Sequence, residues 1–177
     1  AQWICTLPTT ARSTCCIRSW QRFSMAAKPE TSFIQGVHRH LPTVYKEKMN
    51  NPYRGGTPDV WYSGKLADLW VEYKCIPRIP KQANILPDLS PNQQLWLSQR
   101  YSDGRNVVVI VGVVRGGGVI FEHMSWMQPL SPVRFTELMR TKEAIAAFIH
   151  GRVGDCECHS IHPSIKPPKS PRRSTSS

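Results

Sequence analysis

The chain has 177 residues, 40% of them hydrophobic, and a formal net charge of +11 from 23 Lys+Arg against 12 Asp+Glu. That length allows one domain with loose ends. No run approaches the ~18 consecutive apolar residues of a membrane-spanning helix, so a membrane partner is not expected. The positive excess points to a polyanion, but its distribution weakens that inference. Residues 1–25 hold three basic residues and no acid, residues 26–150 hold fifteen basic and ten acidic, and residues 151–177 hold five basic and two acidic. Six of the eleven excess charges therefore lie in the flanks. Cysteine is skewed likewise: of six, only Cys75 lies in the middle, which is no disulfide framework and favours a reducing, intracellular setting.

Residues 1–25 show no helical or alternating pattern and are rich in Ser, Thr and Arg. The first Met is Met25, and the segment is expected to be a non-domain extension, disordered or upstream of the true start. After Pro29, the run Phe33, Ile34, Val37 and Leu41 has the spacing of one helical face and stops before Pro42. Residues 59–63 and 69–75 read as strands joined through Gly64. Ser90-Pro91 places an N-cap before Pro at the first helical position and predicts a helix to about Tyr101. Val107 to Val114 is almost continuously β-branched, the mark of a strand covered on both faces. Arg115 to Gly118 turns it back into Val119-Ile120-Phe121. Shorter helices are expected at 132–140 and 142–150, the second capped by Thr141 and ended by Gly151. Residues 151–177 read as a disordered basic tail. The whole is a mixed β-sheet with helices against it.

Chemistry concentrates at Gly55-Gly56-Thr57-Pro58-Asp59 and at Glu72-Tyr73-Lys74. Period-two alternation puts Glu72 and Lys74 on one face of their strand. A carboxylate and an amine in an apolar strand are costly to bury without a reason. Asp59, opening the paired strand, can approach Glu72, and two converging carboxylates repel unless a divalent cation lies between them. Mg²⁺ suits such an oxygen site and could activate water on a phosphodiester, with Lys74 orienting the water and offsetting developing charge. Gly55 and Gly56 let backbone approach a phosphate, and His38, Arg39, Lys46, Lys48 and Arg54 lie where a nucleic-acid backbone could run.

This pattern resembles the PD-(D/E)XK nuclease superfamily, with Pro58-Asp59 and Glu72-Tyr73-Lys74 as its halves. The further string Leu89-Ser90-Pro91-Asn92-Gln93, opening a helix before a Val-rich strand, looks like the VRR-NUC and phage-type endonuclease branch. The resemblance covers about residues 29–125 and implies a restriction-endonuclease-like α/β core of αβββαβ type within a nuclease domain at 26–150. It implies a Mg²⁺- or Mn²⁺-dependent DNA endonuclease acting on branched or flapped DNA in repair, recombination or replication, in the cytoplasm (the host's, if phage-encoded). Asp59, Glu72 and the backbone carbonyl of Tyr73 would hold the metal, Lys74 and Gln93 would join the catalytic face, and an acid of the first helix, Glu30 or secondarily Glu47, would assist. A homodimer would let two sites cut two strands. Alternatives are a site-specific, homing- or restriction-like endonuclease, a catalytically silent DNA-binding module, and an interaction protein unrelated to nucleic acid.

Blander readings compete at each position. Glu72 and Lys74 could face solvent on an edge strand, with Asp59 a turn residue. Glu30 could be a helix N-terminal charge and Gln93 an exposed helix residue. Cys156, Cys158, His159 and His162 lack the spacing of a zinc site. Trp61, Trp70, Trp96 and Trp126 are expected in the core rather than as base-stacking platforms.

Overall fold

The computed structural model describes residues 28–49 and 55–155. The extension at 1–25, Arg54, and the cysteines and histidines beyond Asp155 lie outside the described residues. The elements run α1 (Pro29–His38), β1 (Tyr45–Lys48), β2 (Val60–Ser63), β3 (Asp68–Ile76), α2 (Pro91–Ser102), β4 (Val107–Val113), β5 (Gly118–Phe121), a short 3₁₀ turn (Ser125–Met127), α3 (Pro132–Leu138) and α4 (Lys142–Val153). Through β4 this is the expected αβββαβ order. The five strands form one mixed sheet in the order β1-β2-β3-β4-β5. Among the described strands only β3 and β4 pair in parallel, and α2 makes the crossover between them.

Each face of the sheet carries its own apolar cluster. Against one face, Phe33, Ile34 and Val37 of α1 and Ile145, Ala146 and Ile149 of α4 pack on Val60, Tyr62, Val71, Tyr73, Val108 and Ile110. Against the other, Leu97 of α2, Phe135 of α3 and Trp126 cover Val107, Val109, Val111, Val119 and Phe121. The central strand β4 therefore alternates its side chains into both clusters, which is why its sequence is continuously branched rather than alternating. Val109 and Ile110 are both 0% exposed, and burying such side chains contributes about 1.5–3 kcal/mol each. Gly112 lets α1 come down onto the strand, since a Cβ there would stand 2.5 Å from the Phe33 ring.

Two elements differ from the sequence expectation. The resemblance implied a third strand before α2, but the residue pattern did not locate β1, because Tyr45-Lys46-Glu47-Lys48 is an exposed sheet edge whose charged residues carry no apolar alternation. The last helix runs past Gly151 to Val153, where Gly154 caps it at φ +73°. Gly151 stands in open space, and Val153 is 0% exposed, so continuing the helix buries a side chain that stopping early would leave out.

Candidate active site

The β2–β3 register sets the site. Val60 pairs with Val71 and Trp61 with Trp70, so the next step outward faces Asp59 toward Glu72. Side chains alternate along each strand, which puts Asp59 and Trp61 of one strand and Trp70, Glu72 and Lys74 of the other on a single sheet face. The Tyr73 N–H donates to Asp59 Oδ2 at 2.9 Å, fixing that carboxylate at the strand entry. The Tyr73 side chain points the opposite way, its hydroxyl 2.7 Å from that of Tyr62, which in turn lies 2.8 Å from His38 Nε2.

Glu72 is 1% exposed and is the one buried charged residue among those described. Its Oε1 lies 3.1 Å from Lys74 Nζ and accepts from Gln93 Nε2 at 2.5 Å. Its Oε2 is buried without a hydrogen-bond partner. Burial foremost, then the neighbouring Asp59 charge, push its carboxyl up to about 7 against the pull of Lys74, and Glu30 adds a smaller upward push. Glu30 thus reaches the site electrostatically from the start of α1, whereas Glu47 sits across from Trp61 on β1 and accepts from the Tyr45 hydroxyl at 3.1 Å.

Gln93 does two things at once. The Ser90 N–H donates to Gln93 Oε1 at 3.0 Å, and the Gln93 N–H donates to Ser90 Oγ at 3.3 Å, a reciprocal capping box at the head of α2. With its oxygen held by the cap, the side chain can present only its NH₂ to Glu72. Ser90 was legible as the N-cap, and the resemblance alone placed Gln93 on the catalytic face; the part Gln93 takes in the cap was not read from the sequence. Gly55 and Gly56 pack on this helix head, where a Cβ at Gly56 would stand 2.5 Å from the Asn92 carbonyl oxygen and φ is +100°. The Gly-Gly pair therefore has a packing role beside α2.

Of the basic residues singled out upstream, the described ones do not converge on this face. Lys46 and Lys48 take the opposite phase of β1, pairing with Tyr62 and Val60, and Lys46 Nζ donates to the Leu41 and Val44 carbonyls at 2.7 and 3.4 Å. Arg39 is exposed at the end of α1. His38 turns inward, and burial, then Lys46, lowers its pKa to about 4.

The tryptophans bear out the sequence reading in part. Trp126 is core at 1% exposure, Trp70 and Trp96 pack half-buried against the edge of the same cluster, and Trp61 is half-buried outside both clusters. Trp61 and Trp70 stack at 5.8 Å between ring centroids, and Trp96 meets Trp70 at 5.4 Å and 62°. Aromatic content alone favours core; the β2–β3 register, which sets Trp61 across from Trp70 on the Glu72 face, is what sequence could not supply.

The residues present fit a divalent cation in one respect: two carboxylates converge, and one buried oxygen has no other partner. No cluster of three or more His, Cys, Asp or Glu placed to hold a metal occurs among the described residues, so any further ligands would be backbone oxygens or water, as hard cations accept. Among the described residues no helix is long and apolar enough to cross a membrane.

No family model matches the chain, and no curated protein matches it. Among solved structures it is similar to the Holliday junction resolvase Hjc of Archaeoglobus fulgidus, at 12% identity and a TM-score of 0.43, over 66% of this chain and 99% of that one.

Proposed function

We propose that this chain is a metal-dependent DNA endonuclease of the PD-(D/E)XK type, of the VRR-NUC and phage-like branch, that hydrolyses phosphodiester bonds in branched or flapped DNA during repair, recombination or replication. The observation that supports this most is Glu72: fully buried, directly across from Asp59, one oxygen held by Lys74 and Gln93 and the other without a partner. A carboxylate kept for structure has both oxygens satisfied, because an unpaired buried acceptor costs about 1–3 kcal/mol. A silent DNA-binding module has no use for that cost.

Asp59, Glu72 and the Tyr73 carbonyl would hold Mg²⁺ or Mn²⁺, which polarises the phosphodiester and acidifies the attacking water. The chain's own groups do the rest. The Tyr73 N–H anchors Asp59, and Gln93 aims Glu72. Lys74, 21% exposed, is the cation of the site that reaches solvent, so it can hold the water in line and offset charge gathering on the phosphoryl oxygens. Glu30 tunes Glu72 from the first helix. The working unit is the domain expected at 26–150, extended by the last turn of α4, and it acts in the cytoplasm as a homodimer whose two sites cut two strands.

Labelled four-way junction, 5′ flap, duplex and single strand, compared at one salt concentration, test this. Cleavage should require Mg²⁺ or Mn²⁺, vanish in EDTA, and fall at least ~100-fold in Asp59→Ala, Glu72→Ala or Lys74→Ala. Undiminished cleavage by Asp59→Ala removes the assignment, and binding without cleavage by the unaltered chain favours the silent module.

A further inference from the structure

Past Trp70, around the Asp68 end of β3, the same sheet face opens into a cleft of ≈ 580 Å³ lined by Trp70 and Trp96. Trp70 precedes Glu72 by two residues on the same side of β3, roughly 7 Å along the strand. Trp96 follows Gln93 by three residues, on the same side of α2. The two rings meet at 62° and form a corner. Trp61 does not line the cleft but supports its wall, stacked on Trp70 within 18° of parallel, with the Tyr45 ring of β1 5.6 Å from it. The Arg100 guanidinium lies 5.8 Å from the Trp96 ring centroid.

We infer that this cleft receives a nucleobase of an unpaired DNA strand, next to the phosphate presented to Glu72 and Lys74; the inference rests on the nuclease reading and narrows its substrate. A volume of 580 Å³ is within the range of small-ligand sites and holds one nucleoside with room to spare. Aromatic walls suit a base because every base has a π-face, whatever its sequence. In a duplex those faces are already stacked and cannot reach a corner between two indoles, so entry demands a splayed or single-stranded nucleotide. The charges around the cleft argue the same way. Arg100 is paired with Asp103 at 3.1 Å, and Asp68 lines the wall with Arg105. Near-neutral charge is poor for tracking a phosphate backbone and adequate for gripping a base.

The test reads binding in EDTA, separately from cleavage. Labelled oligo-dT and a duplex of equal length are titrated with the full chain at one salt concentration, with tryptophan emission followed in parallel. Oligo-dT should quench the emission. Trp96→Ala should weaken oligo-dT binding about tenfold or more while leaving the duplex unchanged, the scale of one lost base stack, and Trp96→Phe should recover most of the loss. Ala67→Phe, at a half-exposed lining position, narrows the cleft without changing charge and should weaken oligo-dT binding at least threefold, with the duplex unchanged, even if Trp96→Ala does not fold. Unaltered oligo-dT affinity in the folded variants, or an equal loss on duplex, overturns the cleft. That result together with lost cleavage in Asp59→Ala leaves the nuclease standing; a Trp96→Ala binding loss with undiminished Asp59→Ala cleavage does the reverse.

Discussion

Replacing Glu72 by Gln should make the metal-free protein more stable at pH 8, although it destroys the proposed site. The Glu72 carboxyl is raised from 4.5 to about 7, chiefly by burial. At pH 8 it is ionised in the folded and unfolded chain alike, and the folded chain bears the cost of the buried charge. Between pH 4.5 and 7 the folded chain keeps a proton that the unfolded chain has lost, so the stability this site confers at low pH declines through that window and is gone above it. At 1.36 kcal/mol per pKa unit the cost is about 3 kcal/mol. Glu72→Gln removes it, keeps the size and still accepts from Gln93, while Lys74 loses its partner, so a net gain of about 1–3 kcal/mol is expected at pH 8 and little at pH 4.5. His38, lowered to about 4 by burial, has the opposite slope: the unfolded chain binds its proton up to 6.5, so stability rises with pH between about 4 and 6.5. The two slopes offset one another in the parent, and the variant exposes the rise. Urea unfolding followed by circular dichroism at pH 4.5, 6 and 8 in EDTA measures this. A variant less stable than the parent at pH 8 by 1 kcal/mol or more would refute the claim that Glu72 is held at a cost. Repeated in Mg²⁺, only the parent should gain stability, as a ligand bound by the folded state alone requires.

Three further outcomes follow from the same geometry. Gln93→Glu keeps the cap acceptor for Ser90 but sets a third carboxylate against Glu72, so stability should fall by about 1–3 kcal/mol at pH 8 and recover toward pH 5, read by the same unfolding curves. Gly56→Ala forces a Cβ onto the Asn92 carbonyl at a positive φ and should cost more than ~1 kcal/mol, with hydrogen exchange rising at the head of α2. Tyr62→Phe deletes the hydroxyl between His38 and Tyr73, leaving two inward polar groups short of a partner at about 1–3 kcal/mol, while cleavage, on the other sheet face, should stay within about twofold.

Much of this architecture was legible because local rules and packing agree. Ser90-Pro91 starts α2, the branched run at 107–113 is buried on both faces as β4, and Pro29 opens α1. Glu72 and Lys74 could be placed on one face from alternation alone, and Asp59 could be brought near them by pairing its strand with theirs, but which residue it meets is set by the β2–β3 register. What escaped depends on register and on distance in the chain. The strand β1 exists because β2 offers it an edge, and its own residues say little. The half-exposure of Trp61, Trp70 and Trp96 follows from where α2 lies across the sheet. Lys46, read as a cation for DNA, bonds carbonyls past the end of α1, a contact made by a bend in the chain rather than by composition.

The parallel pairing of β3 and β4 joins Trp70 to Val107 across a long excursion of chain that contains α2. Closing so long a loop carries an entropic cost that falls before its contacts form, which slows such pairings relative to hairpins. Because Gln93 rides on that excursion and Glu72 on the strand it returns to, the pocket cannot be assembled by the β1–β2–β3 meander alone. In refolding, the hairpin signal should therefore recover first, and the burial of Glu72 should arrive only with closure of the sheet's centre, so that gain of fold and gain of chemistry are one late event.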